Sequence, residues 1–136
     1  MTKTDANREE YTRWLRQAKH DLSTAEVTAK NGAHDWACFL SQQAAEKALK
    51  GYLYLKGHRA VTGHSIMMLL QKCATHNTDF RKINRVKRLD EVYITSRYPN
   101  GLQEGTPLEF YTEEDSKECL ELAETTIRTV ERLSAK

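Results

Sequence analysis

"FLSQQAAEKALKGYL", Phe39 to Leu53, decides the fold. Apolar residues fall on nearly every side of it: Trp36 just ahead, then Phe39, Leu40, Ala44, Ala45, Ala48, Leu49 and Leu53. A helix of this kind, running from about Asp35 to Lys56, has to be packed on several sides. It therefore predicts a bundle with this helix inside it. One stripe is polar: Gln43, Lys47, Lys50 and Tyr54. The stripe reads either as a solvated edge of long side chains or as a strip facing an interface or a ligand. Glu46 and Lys50 can pair one turn apart.

Upstream, Trp14, Ala18, Leu22, Ala25 and Ala29 recur at steps of three and four, which marks the buried face of a first helix from near Asp5 to Lys30. Gly32 is a natural stop, and Asp35 is expected to cap the next helix. Downstream, Gly57 to Gly63 reads as a loop, and Ser65 caps a short helix carrying Ile66, Leu69, Leu70 and Cys73. Thr78 or Asp79 starts another helix, with Ile83, Val86, Leu89 and Tyr93 turned inward and Arg81, Arg85 and Arg88 sharing the opposite face. "SRYPNGLQEGTPLEF" holds both prolines and is long for a connection, and long loops are often functional. The last helix begins at Thr112, where Glu113, Glu114 and Asp115 suit a positive N-terminal end. The expected fold is all-α: an up-and-down antiparallel bundle of four long helices plus a short one, as one domain over residues 1–136.

Composition excludes several classes. No apolar run approaches the roughly 20 residues of a membrane-spanning helix, and the N-terminus lacks a signal-peptide core. The expectation is a cytoplasmic protein with no membrane contact. Cys38, Cys73 and Cys119 show no paired spacing and read as small core residues rather than a disulfide or metal framework. The five histidines have no ligand spacing, so neither metal nor cofactor is expected. The net charge of +2 is too small to indicate nucleic acid. Its distribution is uneven, with basic residues from Phe80 to Tyr98 and acidic ones from Glu104 to Glu131.

"WLRQAKHDLSTAE", "FLSQQAAEKALKGYL", "GHSIMMLL", "LDEVYITSRYPN" and "EFYTEED", in this order and spacing, give the chain a strong likeness to a known family. It resembles the HEPN domain, named for nucleotide binding in higher eukaryotes and prokaryotes, here of the stand-alone prokaryotic type. The resemblance implies a helical bundle and frequent homodimers. It also implies one of three activities: metal-independent RNA cleavage by toxins, partnership with a separately encoded minimal nucleotidyltransferase in a toxin–antitoxin pair, or nucleotide binding without cleavage.

The family's ribonucleases carry an Arg followed, four to six residues on, by a His. The matching Arg is Arg97, but positions 102 to 104 hold Leu102, Gln103 and Glu104. The motif is half present. Arg59 and His64 have the bare spacing but lie earlier, before the short helix. They are weak catalytic candidates, and His64 reads more readily as a residue bonding its own loop. Arg97 and Tyr98 form the stronger pair, since an Arg beside an aromatic can hold a phosphate and stack a base. The competing reading pairs Arg97 with an acid of the last helix. Arg88, Arg85 and Lys47 are further phosphate candidates, while Asp90 and Tyr93 are placed to orient the loop. The expected function is binding of a nucleotide or RNA phosphate group as a homodimer, acting with a nucleotidyltransferase. The alternatives are a metal-independent endoribonuclease and a non-catalytic interaction module.

Overall fold

Thr2 opens the first helix by a reciprocal cap. Its hydroxyl accepts from the Asp5 amide while the Asp5 carboxylate accepts from the Thr2 amide, which satisfies two otherwise orphan donors. The computed structural model describes residues 2–135. Helix α1 runs Lys3–Lys30 and ends at Asn31, followed by Gly32 at φ +83°, a left-handed position that glycine takes without strain.

Helix α2, His34–Leu55, begins one residue before Asp35 and has no side-chain cap. Asp35 does not cap; it lies in the first turn, where its charge still favours the helix N-terminus. Helix α2 is the hub, packing on α1 and on α6 (Glu113–Leu133) and also touching α3 (Ile66–Ala74). Gly51 explains how closely α1 approaches. A Cβ there would lie 3.1 Å from the Trp14 Cβ and 3.4 Å from the Tyr11 carbonyl oxygen. Ser65 caps α3 by accepting from the Met68 amide at 3.2 Å.

The third long element is not an α-helix. Thr78–Glu91, capped by Asn77, forms 3₁₀ turns that bend at Ile83 (φ −108°, ψ 27°), and only then does one α-turn follow, α4 at Val92–Thr95. The pattern explains the choice. Phe80, Ile83, Val86, Leu89 and Val92 are all buried and stand three apart. A helix with three residues per turn stacks them in one column, whereas an α-helix would let them drift off the core. Phe80 is fully buried edge-on to Tyr52, and Phe80→Ala is expected to cost about 3–5 kcal/mol in chemical unfolding.

The 3₁₀ geometry also splits the expected cationic face. Arg85 Nη2 donates to Thr125 Oγ1 at 3.3 Å, and Arg88 reaches Glu118 at 3.7 Å, both on α6. Arg81, before the bend, lines a hollow with Leu70 and Gln71 of α3 instead. The long loop contains a 3₁₀ turn, Pro99–Gly101, and one helical turn, α5 at Pro107–Phe110. Thr112 and Asp115 then form a second reciprocal cap at the start of α6. Helices α1 and α2 are antiparallel, because Lys47 meets Asp21 while Gly51 meets Tyr11. The 3₁₀ element and α6 are antiparallel too, because Arg132 meets Asp79 and Arg88 meets Glu118. The described chain is helical with no strand, as an up-and-down bundle requires. All three cysteines are free and buried in the core.

Candidate functional site around Arg97

Arg97 follows α4, and its position is fixed by its own backbone. Its Nε donates to the Tyr93 carbonyl at 2.9 Å, four residues back, which turns the guanidinium toward α2. There it lies over three rings: Phe39 at 4.3 Å, Tyr93 at 4.6 Å and Tyr98 at 5.1 Å from the respective centroids. Rings attract a cation through their negative faces. Among the described residues no carboxylate forms an ion pair with Arg97, so an acid of α6 does not engage it. Tyr98 is 50% exposed rather than packed into the bundle. A half-buried guanidinium with fixed orientation and uncommitted terminal nitrogens can take a phosphate or carboxylate by two parallel hydrogen bonds.

His64 reaches the same place from another element. Its ring is stacked on Tyr93 with centroids 3.8 Å apart and planes 11° from parallel. The main chain around it is clamped twice. The Gln42 side chain, fully buried, donates to the His64 carbonyl at 3.1 Å. The Asp90 carboxylate accepts from the Ile66 amide at 2.6 Å and the Met67 amide at 3.0 Å, bringing negative charge to the N-terminus of α3. Gly63, at φ +87°, supplies the turn that leads into His64. His64 and Arg97, 33 positions apart, thus flank one tyrosine ring.

Arg59 goes elsewhere. Its guanidinium donates to Asn7 Oδ1 at 3.0 Å and to the carbonyls of Gly57 and His58, near the start of α1. Arg59 and His64 have no partner in common. At that end of the loop, His58 and His76 share a hydrogen bond between their Nε2 atoms at 2.8 Å. Burial, then the nearby His58 and Lys56, holds His76 below the ordinary histidine range.

Lys47 is held by Asp21 at 2.6 Å and touches Gln43. Gln43 donates to Gln42, and Gln42 to Glu46, whose carboxylate also takes Lys50 at 3.0 Å. This is a connected polar network along α2, from Asp21 to the carbonyl of His64, and networks of this kind fix geometry when every member is satisfied. Sequence reasoning did not find Phe39 under Arg97, His64 on Tyr93, or Gln42 on the His64 carbonyl. The one available signal was the amide pair Gln42–Gln43 inside an otherwise apolar helix. Among the described residues no group of three or more His, Cys, Asp or Glu side chains could hold a metal ion. Among the described residues no helix is long and apolar enough to cross a membrane.

Comparison with known proteins agrees with this architecture. "Putative toxin MJ1304" of Methanocaldococcus jannaschii is 29% identical over 126 residues, 86% of this chain and 83% of that protein. The crystal structure of TT1696 from Thermus thermophilus superposes with a TM-score of 0.84 at 36% identity, covering 90% of this chain and 97% of that one. That of ST0689, described as an archaeal HEPN homologue, gives a TM-score of 0.77 at 38% identity, over 92% and 98%. The HEPN domain family itself matches residues 11–133, and with nearly the whole helical bundle inside that match the chain belongs to the HEPN family.

Proposed function

We propose that this HEPN protein binds a nucleotide or RNA phosphate group at Arg97, with Tyr98 available to stack a base, as a cytoplasmic homodimer working with a separately encoded minimal nucleotidyltransferase. The observation that carries the reading is the guanidinium ringed by Phe39, Tyr93 and Tyr98 with no carboxylate paired to it among the described residues. An arginine meant only for stability would ordinarily be neutralised by an acid, as Arg88 is. The name of the Methanocaldococcus jannaschii relative supports a toxin-like role, and a toxin needs a partner that restrains it. Exposed Trp36, Ile94, Tyr98, Leu108 and Phe110 support a second copy as a neighbour. The test is calorimetric titration with nucleoside monophosphates and short RNA at low and high salt, beside light scattering for mass. Salt-sensitive binding by a dimer is expected. No binding to either ligand at low salt would leave the interaction-module reading in its place.

A second reading, metal-independent RNA cleavage, has one specific observation in its favour. His64 and Arg97 both contact the Tyr93 ring, so an imidazole and a guanidinium border one side chain despite the missing motif histidine. In that chemistry His64 takes the proton of the 2′-hydroxyl, and Arg97 stabilises the charge gathering on the phosphorus oxygens. Because the family's own histidine position is vacant, the expectation is little or no cleavage. Efficient cleavage of single-stranded RNA in a chelator, lost in His64→Ala, would establish the second reading over the first.

A further inference from the structure

Helix α2 is covered along almost all its length. Between Ala37 and Leu53 only Phe39, Leu40, Gln43 and Lys47 reach solvent. Phe39, Gln43 and Lys47 are four apart and so line one strip of the helix. Phe39 is the ring under Arg97. Lys47, about 12 Å further along at the α-helical rise, is in the wall of a separate groove of about 700 Å³ between α1 and α2. That volume lies in the range of sites that hold ligands, roughly 300–1,000 Å³.

The groove is lined by Arg13, Trp14, Arg16, Gln17, His20 and Lys47, with Glu10 at its lip. Its floor is fixed. Asp21 binds Lys47 at 2.6 Å and Gln17 at 3.0 Å, cancelling the lysine's charge. Trp14 is stacked on Tyr54 and donates its Nε1–H to Glu10 at 3.0 Å. Glu10 also pairs with Arg13, whose side chain is largely exposed, so that pair is weak and open to exchange. Arg16 and His20 are exposed and have no ionic partner among the described residues. The walls are therefore net cationic through Arg16, while the Trp14 indole is itself taken up by Tyr54 and Lys50, so the groove can track a single strand by its phosphates.

We infer that the α1–α2 groove is a second subsite for single-stranded RNA, continuous along α2 with Arg97, so that a few nucleotides of extended strand run from Arg97 past Gln43 and Lys47 to Arg16 and His20. This rests on the phosphate-binding reading of Arg97, and it deepens that reading: the ligand is an oligonucleotide rather than a mononucleotide. An acidic protein segment would also suit cationic walls; a polyanion is preferred because the exposed strip Phe39, Gln43 and Lys47 leads from the groove to Arg97, which one extended strand can follow.

The experiment compares uridine monophosphate with a labelled oligouridylate about eight nucleotides long, by calorimetry and fluorescence anisotropy. The oligonucleotide is expected to bind roughly tenfold tighter or better, because the second contact becomes intramolecular. Its salt slope should be steeper by about 0.7 for each added phosphate contact. Arg16→Ala with His20→Ala should remove most of that gain and leave mononucleotide affinity unchanged. Both residues are exposed, so folding should survive; a thermal melt checks it, and Arg16→Glu is the single-site alternative. Mononucleotide binding without any length gain overturns the groove and spares Arg97. Mononucleotide and oligonucleotide affinities both untouched by Arg97→Ala, with oligonucleotide binding lost on Arg16→Ala, overturn Arg97 as the phosphate site and with it the shared strand, leaving a groove that binds alone. Failure of both probes to bind overturns both. Groove variants that change the assembled mass but not oligonucleotide affinity would show that a second copy occupies the groove, against the inference.

Discussion

Arg88 and Arg97 are nine residues apart on the same arm of the bundle, yet their surroundings differ in kind. Arg88 lies on the 3₁₀ element opposite the acidic α6 and is engaged by Glu118 at 3.7 Å. Arg97 lies past α4, where its neighbours are rings and a main-chain carbonyl. A carboxylate occupies a guanidinium's forked donors; rings attract its flat face and leave the fork open. Cation density in the sequence therefore points to the wrong stretch. "RKINRVKR" is the most basic segment near the site, but its side chains are spread among different neighbours: Arg88 meets Glu118 and Arg85 meets Thr125 on the last helix, and Lys82 meets Asp79. The single arginine beyond it is the one held in a fixed orientation over three rings.

The sharpest way to break this contrast is Arg97→Ala. Hydrogen bonds to charged groups contribute about 1.5–3 kcal/mol, so nucleotide affinity should fall by roughly tenfold or more, with the melting temperature little changed. Arg97→Lys should recover only part of the affinity, since an ammonium cannot make the paired contact. If Arg97→Ala binds as wild type, the ringed guanidinium is a packing feature and the contrast has no functional meaning.

Tyr98→Ala addresses the ring rather than the charge. A stacked base contributes about 1–3 kcal/mol by such a substitution. Tyr98→Phe should be nearly silent, because stacking needs the ring and not the hydroxyl. Equal losses in both variants would mean that the hydroxyl, not the face, meets the ligand.

Asp90→Ala tests the frame on which His64 stands. The carboxylate serves two amides at the start of α3, and loss of a helix N-terminal acceptor costs about 0.5–2 kcal/mol, read by urea unfolding. Asp90→Asn should restore part of that stability, since its remaining oxygen still accepts. A null effect of Asp90→Ala on stability would show that water replaces the cap and that the loop holds itself.

How far the sequence reached follows from the range of each interaction. The longer α-helices α1, α2, α3 and α6 were legible because their signals are local: apolar residues at steps of three and four, Ser65 and Thr112 at the caps, Gly32 past an end; the α5 turn, inside a stretch read as loop, was not. The 3₁₀ element was legible in principle. Its buried column, Phe80 to Val92, keeps a strict step of three, but counting Tyr93 as a core position imposes the α period and hides it. Arg97 and Tyr98 could be singled out because they are adjacent on a long loop. What could not be read were the pairings across the fold: His64 on Tyr93, 29 residues away, and Gln42 on the carbonyl of His64, 22 away. Arg59 and His64, only five apart, turn toward different ends of the bundle for the same reason.

The smallest expected effect completes the contrast. Arg88→Ala removes an ion pair whose two side chains are more than half exposed, at a separation too long for a strong hydrogen bond. Exposed pairs of this kind contribute about 0–1 kcal/mol, and salt screens them further. The substitution should therefore shift the unfolding midpoint little, and less still at high salt. It should also leave nucleotide affinity almost unchanged, because Glu118 already competes for the guanidinium. Glu118→Gln is the informative partner. Freeing Arg88 from its acid adds one more uncommitted cation to the 3₁₀ face, and RNA affinity at low salt should rise slightly if availability, rather than position, is what separates the two arginines. If Glu118→Gln leaves affinity unchanged while Arg97→Ala abolishes it, position decides, and the three rings around Arg97 define the site. If Arg88→Ala costs as much affinity as Arg97→Ala, the ligand spans both arms and the carboxylate at Glu118 is displaced when it binds.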